Sequence, residues 1–196
     1  MSDTLEGLMR EAGVCIACRL AERRTSVVFG EGNPSARIML VGEAPGREED
    51  RTGRPFVGRA GELLDRILGA VDLGRDQVFI TNTVMCRPPE NRVPAPDETG
   101  SCRHFLERKM ALIRPPIVVA LGSVALRVLS GDPRASITAQ RGRRIDRDGY
   151  AIYPTFHPAA LLRDPAKKRP VWEDFKRIRR DLDALASGER ASREDS

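Results

Sequence analysis

Four short apolar runs, each followed by a loop and then a stretch of helical periodicity, constrain this chain's fold more than any other feature. They are Arg37–Val41 closed by Gly42, Gln77–Thr81, Pro116–Leu121 and Ala151–Thr155. Runs of this length bounded by Gly and Pro read as buried strands. Pro154, inside the fourth, predicts a sheet edge or a strand end, because proline cannot donate to a ladder. Between the runs, Leu63, Leu64, Ile67, Leu68 and Val71 fall at helical spacing. The Pro-rich loop Pro88–Pro96 leads into a helix with Asp97 as its predicted N-cap. Gly122-Ser123 opens a helix running through Leu129. A last helix is predicted over Pro170–Leu185, with Val171, Phe175, Ile178, Leu182 and Leu185 on one face. Residues 1–35 read as polar and helical, with Cys15 and Cys18 between two short helical stretches. Strands alternating with helices predict an α/β fold, a mostly parallel sheet covered on both faces. Ligands of such sheets bind at the carboxyl ends of strands. Gly42–Asp50, Thr81–Arg92 and Phe156–Arg163 all fall at those ends.

The chain has 196 residues, a length that suits one domain. That domain is predicted over 1–186, with the polar stretch 187–196 as a disordered tail. No run reaches membrane-spanning length, and the opening MSDTLEGLMREAG lacks an apolar signal core, so a cytoplasmic location is expected. Net charge is +5, and only four of the 33 basic residues are Lys. Arginine forks phosphate well, but an Arg-biased genome gives the same excess. Charge alone does not choose between these.

The four cysteines are too few and too scattered for a disulfide framework in a cytosolic chain. Cys15 and Cys18 form C-x2-C, and Cys86 and Cys102 lie far downstream. Four thiolates drawn together can hold zinc or a [4Fe–4S] cluster, and the spacing leaves both open. Four unrelated buried cysteines are the remaining alternative. His104, two residues after Cys102, points elsewhere on a helix and reads as a surface or packing residue.

In the first loop Glu43 is the acid at the strand tip itself, placed to hold a water or to stabilise a developing cation. Glu49 and Asp50 fit cap or turn roles better. His157 follows the fourth strand and precedes a short helix started by Pro158; it is either structural or a donor to charge building on a leaving group. Leu161 and Leu162 read as core, or, beside Arg163, as an apolar wedge for a base stack. Asn82 ends the second strand, where it caps a turn or presents its amide edge to a base. Phe56 either docks its loop on the core or stacks on a base. The basic segments Arg141–Arg144 and Lys167–Arg169 are solvated loops or a track for a nucleic-acid backbone.

Together GEAPGREED (42–50), RPFVGRAG (54–61), TNTVMCRPPENR (81–92), LGSVAL (121–126), HPAALLRDP (157–165) and the four cysteines resemble the family 4 uracil-DNA glycosylases, the iron–sulfur type. The likeness runs from Cys15 to about Arg180. It implies a three-layer α/β/α sandwich around a four-stranded parallel sheet. It also implies a structural [4Fe–4S] cluster on Cys15, Cys18, Cys86 and Cys102, and no catalytic metal. With the cysteines so assigned, His104 and His157 are the only histidines left, which disfavours metal-assisted hydrolysis. The implied activity flips uracil from single- or double-stranded DNA and hydrolyses its N-glycosidic bond, leaving an abasic site.

Carried over by position, the resemblance gives Glu43 the water or the sugar cation. Phe56 stacks on uracil, Asn82 reads its Watson–Crick edge, and His157 bonds the ring oxygen that gathers charge. Gly42 and Ala44 complete the pocket with backbone. Ser123 begins the phosphate-pinching helix, and Leu162 and Arg163 enter the duplex. A nucleoid-associated monomer is expected, its replication or repair partner unnamed. One relative bonds permanently to DNA through a histidine in a basic insertion; Pro88–Pro94 holds no such insertion, and Ala44 stands where that relative has Gln, so turnover is expected. Two rivals remain: a non-catalytic iron–sulfur DNA-binding module of the same fold, and a redox or zinc protein centred on the cysteines. Glu43, Asn82 and His157 occurring together argue against the first.

Overall fold

The computed structural model describes residues 4–194, with side chains through Ser187. In chain order the elements are α1 (Leu5–Gly13), β1 (Glu31–Gly32), β2 (Ile38–Gly42), α2 (Arg47–Thr52), α3 (Arg59–Gly69), β3 (Phe79–Asn82) and α4 (Pro96–Ile113). Then follow β4 (Ile117–Leu121), α5 (Ser123–Ser130), α6 (Ile137–Gln140), β5 (Ile145–Arg147), β6 (Tyr150–Thr155), α7 (Pro158–Arg163) and α8 (Lys168–Glu194). None of these helices is long and apolar enough to cross a membrane.

The sheet order is β1-β3-β2-β4-β6-β5. The four expected strands are its parallel centre. Two short antiparallel strands, β1 beside β3 and β5 beside β6, extend it to six; both are too short, and too rich in Gly and charge, to show as apolar runs. Along each central strand alternate residues serve opposite layers, as the pleat demands. Ile38, Leu40, Val119 and Tyr153 pack with Leu64 and Leu68 of α3, Leu161 of α7, and Phe175 and Ile178 of α8. Met39, Val41, Val118 and Ile152 pack with Leu8 of α1, Phe105 and Leu106 of α4, and Leu126 of α5. Burial on both faces explains why the runs are continuously apolar and not alternating.

Four local expectations are sharpened or changed. Of the two places expected for Pro154 the strand end holds, one residue before β6 stops at Thr155, and the sheet edge does not, since β6 has a neighbour on each side. Pro154 is nevertheless past the last β5 pairing, Ile145↔Ile152, so its missing N–H breaks no ladder, and its carbonyl accepts the Gly142 N–H at 3.1 Å. The loop from Glu43 to Gly58 contains α2, whose first turn carries Glu48, Glu49 and Asp50 and which ends on Gly53 at φ 71°. α4 starts at Pro96, with Ala95 and not Asp97 as N-cap, because proline is preorganised for the first helical position. The helical backbone of α8 runs past Leu185 into the polar stretch from 187; residues 195 and 196 lie outside the described residues.

Glu98 joins three segments around the start of α4. Its fully buried carboxylate accepts from the Ala95 N–H (2.8 Å), Arg92 (2.8 and 2.6 Å) and Arg19 Nε (2.8 Å). Arg19 follows Cys18, Arg92 belongs to the Pro-rich loop, and α4 carries Cys102. The Arg92 hydrogen bonds, above all, hold the Glu98 carboxyl down at about 2 against an ordinary 4.5. A depressed carboxylate stabilises the fold above pH 4.5 and loses that contribution as pH falls toward 2. Glu98→Ala is expected to lower the unfolding free energy by about 1–3 kcal/mol at neutral pH. In urea titrations the gap from wild type should close as pH drops below 4.5; a gap independent of pH would refute the linkage.

Candidate active site

The strand register builds the site. Gly42 pairs with Asn82, Val41 with both Thr81 and Ala120, and Leu121 with Thr155, so the four parallel strands end on one line. The loops leaving that line enclose a cleft of about 330 Å³ lined by Glu43, Ala44, Phe56, Asn82, His157 and Arg163. Glu49, Pro88, Asn91 and Arg92 are also part of its walls. Gly42 decides how closely these groups meet. A Cβ there would lie 2.3 Å from Asn82 Oδ1 and 2.5 Å from Phe56 Cζ, which no side chain survives. The strand tips are stitched together: Thr83 donates its N–H to Gly42 O (3.0 Å) and its hydroxyl to Glu43 O (2.6 Å).

Asn82 is 2% exposed, and its Oδ1 has no hydrogen-bond partner among the described residues. A buried acceptor left unpaired costs about 1–3 kcal/mol, and Asn82 lines the cleft, where an entering donor could pair with it. Beside it, Phe56 adopts φ 53°, a left-handed backbone that costs a non-glycine residue roughly 1–2 kcal/mol. Its ring lies 5.4 Å from that of His157, tilted by 30°. Glu49 supports this loop: Oε1 accepts the N–H groups of Val57 and Gly58 (both 2.9 Å), and Oε2 that of Gly46 (3.1 Å). Asp50 likewise accepts from Thr25 (2.9 Å) and Ser26 (3.3 Å) N–H. The cap or turn role expected of Glu49 holds, although it also reaches the cleft wall, whereas buried Asp50 ties α2 to the distant Thr25–Ser26 segment. Sequence reasoning missed the Pro88–Asn91–Arg92 wall, where Glu90 and Asn91 are left-handed at φ 56° and 54° and Arg87 Nε holds Asn91 Oδ1 at 2.7 Å. Two adjacent non-glycine residues in that region are a signal legible only in coordinates.

The two carboxylates therefore have different work. Glu49 is committed to backbone, whereas the half-buried Glu43 feels chiefly desolvation, which raises its pKa, and the Arg163 cation, which lowers it. His157 caps α7, its Nδ1 accepting the Ala159 N–H at 3.1 Å. That bond leaves the proton of the neutral ring on Nε2. Burial first, then Arg163, pushes the His157 pKa down to about 4. The cleft thus holds a neutral imidazole N–H donor and an acid that ionises above its ordinary range. Ser123 and Leu162 are not part of the cleft lining; Ser123 starts α5 just after Gly122 (φ 94°), where a Cβ would come within 3.1 Å of His157 Cβ. Leu161 is core, and Leu162 is 40% exposed, so the two expectations for that pair divide between the residues. Arg141 is not free for a nucleic-acid track: it binds Asp174 (2.6 Å) and the Pro170 carbonyl (2.8 Å). Lys168 and Arg169 are exposed.

A family model described as the uracil DNA glycosylase superfamily matches residues 29–178. The chain belongs to the uracil DNA glycosylase superfamily. Its relatives include a type-4 uracil-DNA glycosylase of Thermotoga maritima, 48% identical over 84% of this chain and 88% of that one. Another type-4 uracil-DNA glycosylase, from Sulfurisphaera tokodaii, is 45% identical over 90% of this chain and 84% of that one. A third, from Saccharolobus solfataricus, is 40% identical over 92% and 87%.

In this superfamily member the thiols stand apart from the cleft lining. Cys15, Cys18, Cys86 and Cys102 form no disulfide and are half-buried. Among the described residues no three His, Cys, Asp or Glu side chains converge on one ion. The four are still coupled through space, Cys86 to Cys15 and Cys18, and Cys102 to Cys86 and Cys18. Burial raises both downstream thiols, Cys102 to about 11, while Arg24 donates to Cys86 Sγ (3.3 Å) and to the Cys15 carbonyl (2.7 Å). Four soft donors, with the Arg24 cation beside Cys86, have the chemistry of a metal–sulfur group. His104 is exposed and lies against Phe105, ring centroids 4.0 Å apart, in the packing role expected of it.

The lowered His157 pKa has a direct readout. Below pH 6.5 the unfolded chain takes the proton first, so this residue costs the fold stability as pH falls toward 4. In a His104→Gln variant, the remaining imidazole resonances should hold their neutral positions through pH 6.5 and shift only near pH 4. Titration at the ordinary value would refute the buried neutral donor.

Proposed function

We propose that this cleft binds uracil flipped out of DNA and hydrolyses its N-glycosidic bond. The unpaired buried Oδ1 of Asn82 carries the proposal: the N3–H of uracil is the donor it lacks, and the Asn82 amide N–H can donate to the adjacent carbonyl. Cytosine reverses both polarities. At about 1–3 kcal/mol for each buried group left unpaired, discrimination of a hundredfold or more follows. Phe56 supplies the stacking face, and the backbone at Gly42 and Ala44 closes the pocket.

Bond cleavage leaves a cationic sugar and a uracil anion. Glu43 faces the sugar side, where its carboxylate stabilises the cation and holds the water whose oxygen bonds to C1′. His157 donates its Nε2–H to the uracil oxygen on which charge collects, a contribution of the oxyanion-hole kind. A neutral donor keeps its proton, so uracil departs as the anion and takes the proton that water releases. Ser123 at the start of α5 contacts phosphate, and the exposed Leu162 with Arg163 fills the space left by the base. With no histidine between Pro88 and Pro94, the enzyme turns over. We read it as a monomeric single domain over 1–186, acting on single- or double-stranded DNA in the cytoplasm at the nucleoid. Cys15, Cys18, Cys86 and Cys102 would hold a [4Fe–4S] cluster. That cluster would tie the N-terminal segment, the Pro-rich loop and α4 together and would supply no chemistry to the base.

A uracil-containing oligonucleotide, treated with the protein and then with alkali, is expected to break at the uracil. Glu43→Ala should lose at least about a hundredfold in rate and still bind DNA. An intact strand after wild-type treatment would leave only a non-catalytic DNA-binding module. Iron analysis should find about four irons per chain in a brown protein, lost in Cys86→Ser; a colourless, zinc-loaded wild type would refute the cluster.

A further inference from the structure

We propose that Arg75 is a positioning residue that aims the Phe56 ring and so sets how tightly the cleft holds uracil; this rests on reading Phe56 as the stacking face. Arg75 lies in a single 3-10 turn, Arg75–Gln77, between α3 and β3, and does not line the cleft. All five of its N–H groups are committed. Nη1 donates to the Phe56 carbonyl (2.9 Å) and to Asp65 Oδ1 (3.0 Å). Nη2 donates to the Pro55 carbonyl (2.5 Å) and to Glu31 Oε1 (2.8 Å), which also accepts from Nε at 3.1 Å. Two carboxylates orient the guanidinium, and its fork grips the two carbonyls on either side of the Phe56 N–Cα unit.

That grip meets a strained residue. Phe56 is left-handed, and an extended backbone would be the relaxed alternative. Such a flip would swing the ring away from Gly42 and His157. Arg75 blocks it from the carbonyl side, while Glu49 holds the next two N–H groups. The carbonyl also packs closely on α3: a Cβ on Gly61 would lie 1.8 Å from Phe56 O. Glu31, in the two-residue strand β1, also takes Arg54 at 2.8 and 3.1 Å, so one acid anchors both a residue two before Phe56 and the guanidinium that holds the Phe56 carbonyl. Lysine offers three donors and no planar fork. Arg75→Lys therefore keeps the charge and loses the double grip.

The test uses the full-length protein with free uracil as the inhibitor, and compares wild type, Arg75→Lys, Phe56→Ala and the double variant. Stacking on an aromatic face is sequence-tolerant but strong, so Arg75→Lys should raise the uracil inhibition constant about tenfold. Affinity for an abasic oligonucleotide, which lacks the base, should stay within about twofold. In the Phe56→Ala background, Arg75→Lys should change uracil inhibition by less than about twofold, because the ring it aims is gone. Unchanged inhibition in Arg75→Lys alongside a weakened Phe56→Ala would overturn the positioning role. Penalties that multiply in the double variant would also overturn it, since Arg75 would then act on something other than Phe56. If Phe56→Ala itself leaves uracil inhibition intact, the stacking reading fails and takes the Arg75 role with it. Should Arg75→Lys not fold, Asp65→Asn removes one anchor of the guanidinium. It should weaken uracil inhibition in the same sense but less; no change there would count against the proposal equally.

Discussion

The close approach at Gly42 is the constraint on which the rest of the site depends. Parallel pairing brings Gly42 level with Asn82, and the absence of a Cβ lets the Asn82 amide and the Phe56 ring occupy the same few ångströms. The shared line of strand ends places the Glu43 and His157 loops around them. A register slip of one residue in β3 would turn Asn82 to the opposite face of the sheet, and one in β2 would put another residue level with it in place of Gly42. The site is thus specified by the same apolar packing on both sheet faces that holds the strands in register.

Within that frame the chain accepts several local costs side by side: a left-handed Phe56, an unpaired Asn82 oxygen, a desolvated Glu43 and a histidine kept neutral. The Phe56 backbone and the His157 ring are held by hydrogen bonds from their neighbours. Glu49 holds three N–H groups and Arg75 two carbonyls, and the Ala159 N–H fixes the His157 tautomer. The contrast between Glu43 and Glu49 shows how environment sorts identical side chains. One is consumed by backbone donors and becomes structure; the other keeps its carboxylate facing the cleft.

The thiol region obeys the same logic at longer range. Cys15, Cys18, Cys86 and Cys102 come from three segments, and Glu98 ties those segments together with buried, charge-assisted hydrogen bonds. Arg92, one of its partners, is also a wall of the cleft. Exposed ion pairs such as Arg51–Glu48 and Arg103–Glu107 are worth little individually, whereas this buried carboxylate links the cysteine loops to the active face.

Much was legible in the residues alone. The four apolar runs determined the parallel core, because strands buried on both faces must be continuously apolar. The loops after them held Glu43, Phe56, Asn82 and His157, since ligands meet such sheets at strand ends. What the sequence could not carry was anything set by three-dimensional closure. β1 and β5 have no apolar signature, as edge strands need none. The division between Leu161 in the core and Leu162 outside it follows from the packing of α7 on α3. Arg75 reads in sequence as one arginine among many, and only the fold shows its five donors committed around Phe56. The sequence by itself determined which residues stand at the sheet edge. Tertiary structure alone decided which of them remain unpaired and poised, because hydrogen-bond satisfaction and backbone strain arise from neighbours distant in the chain.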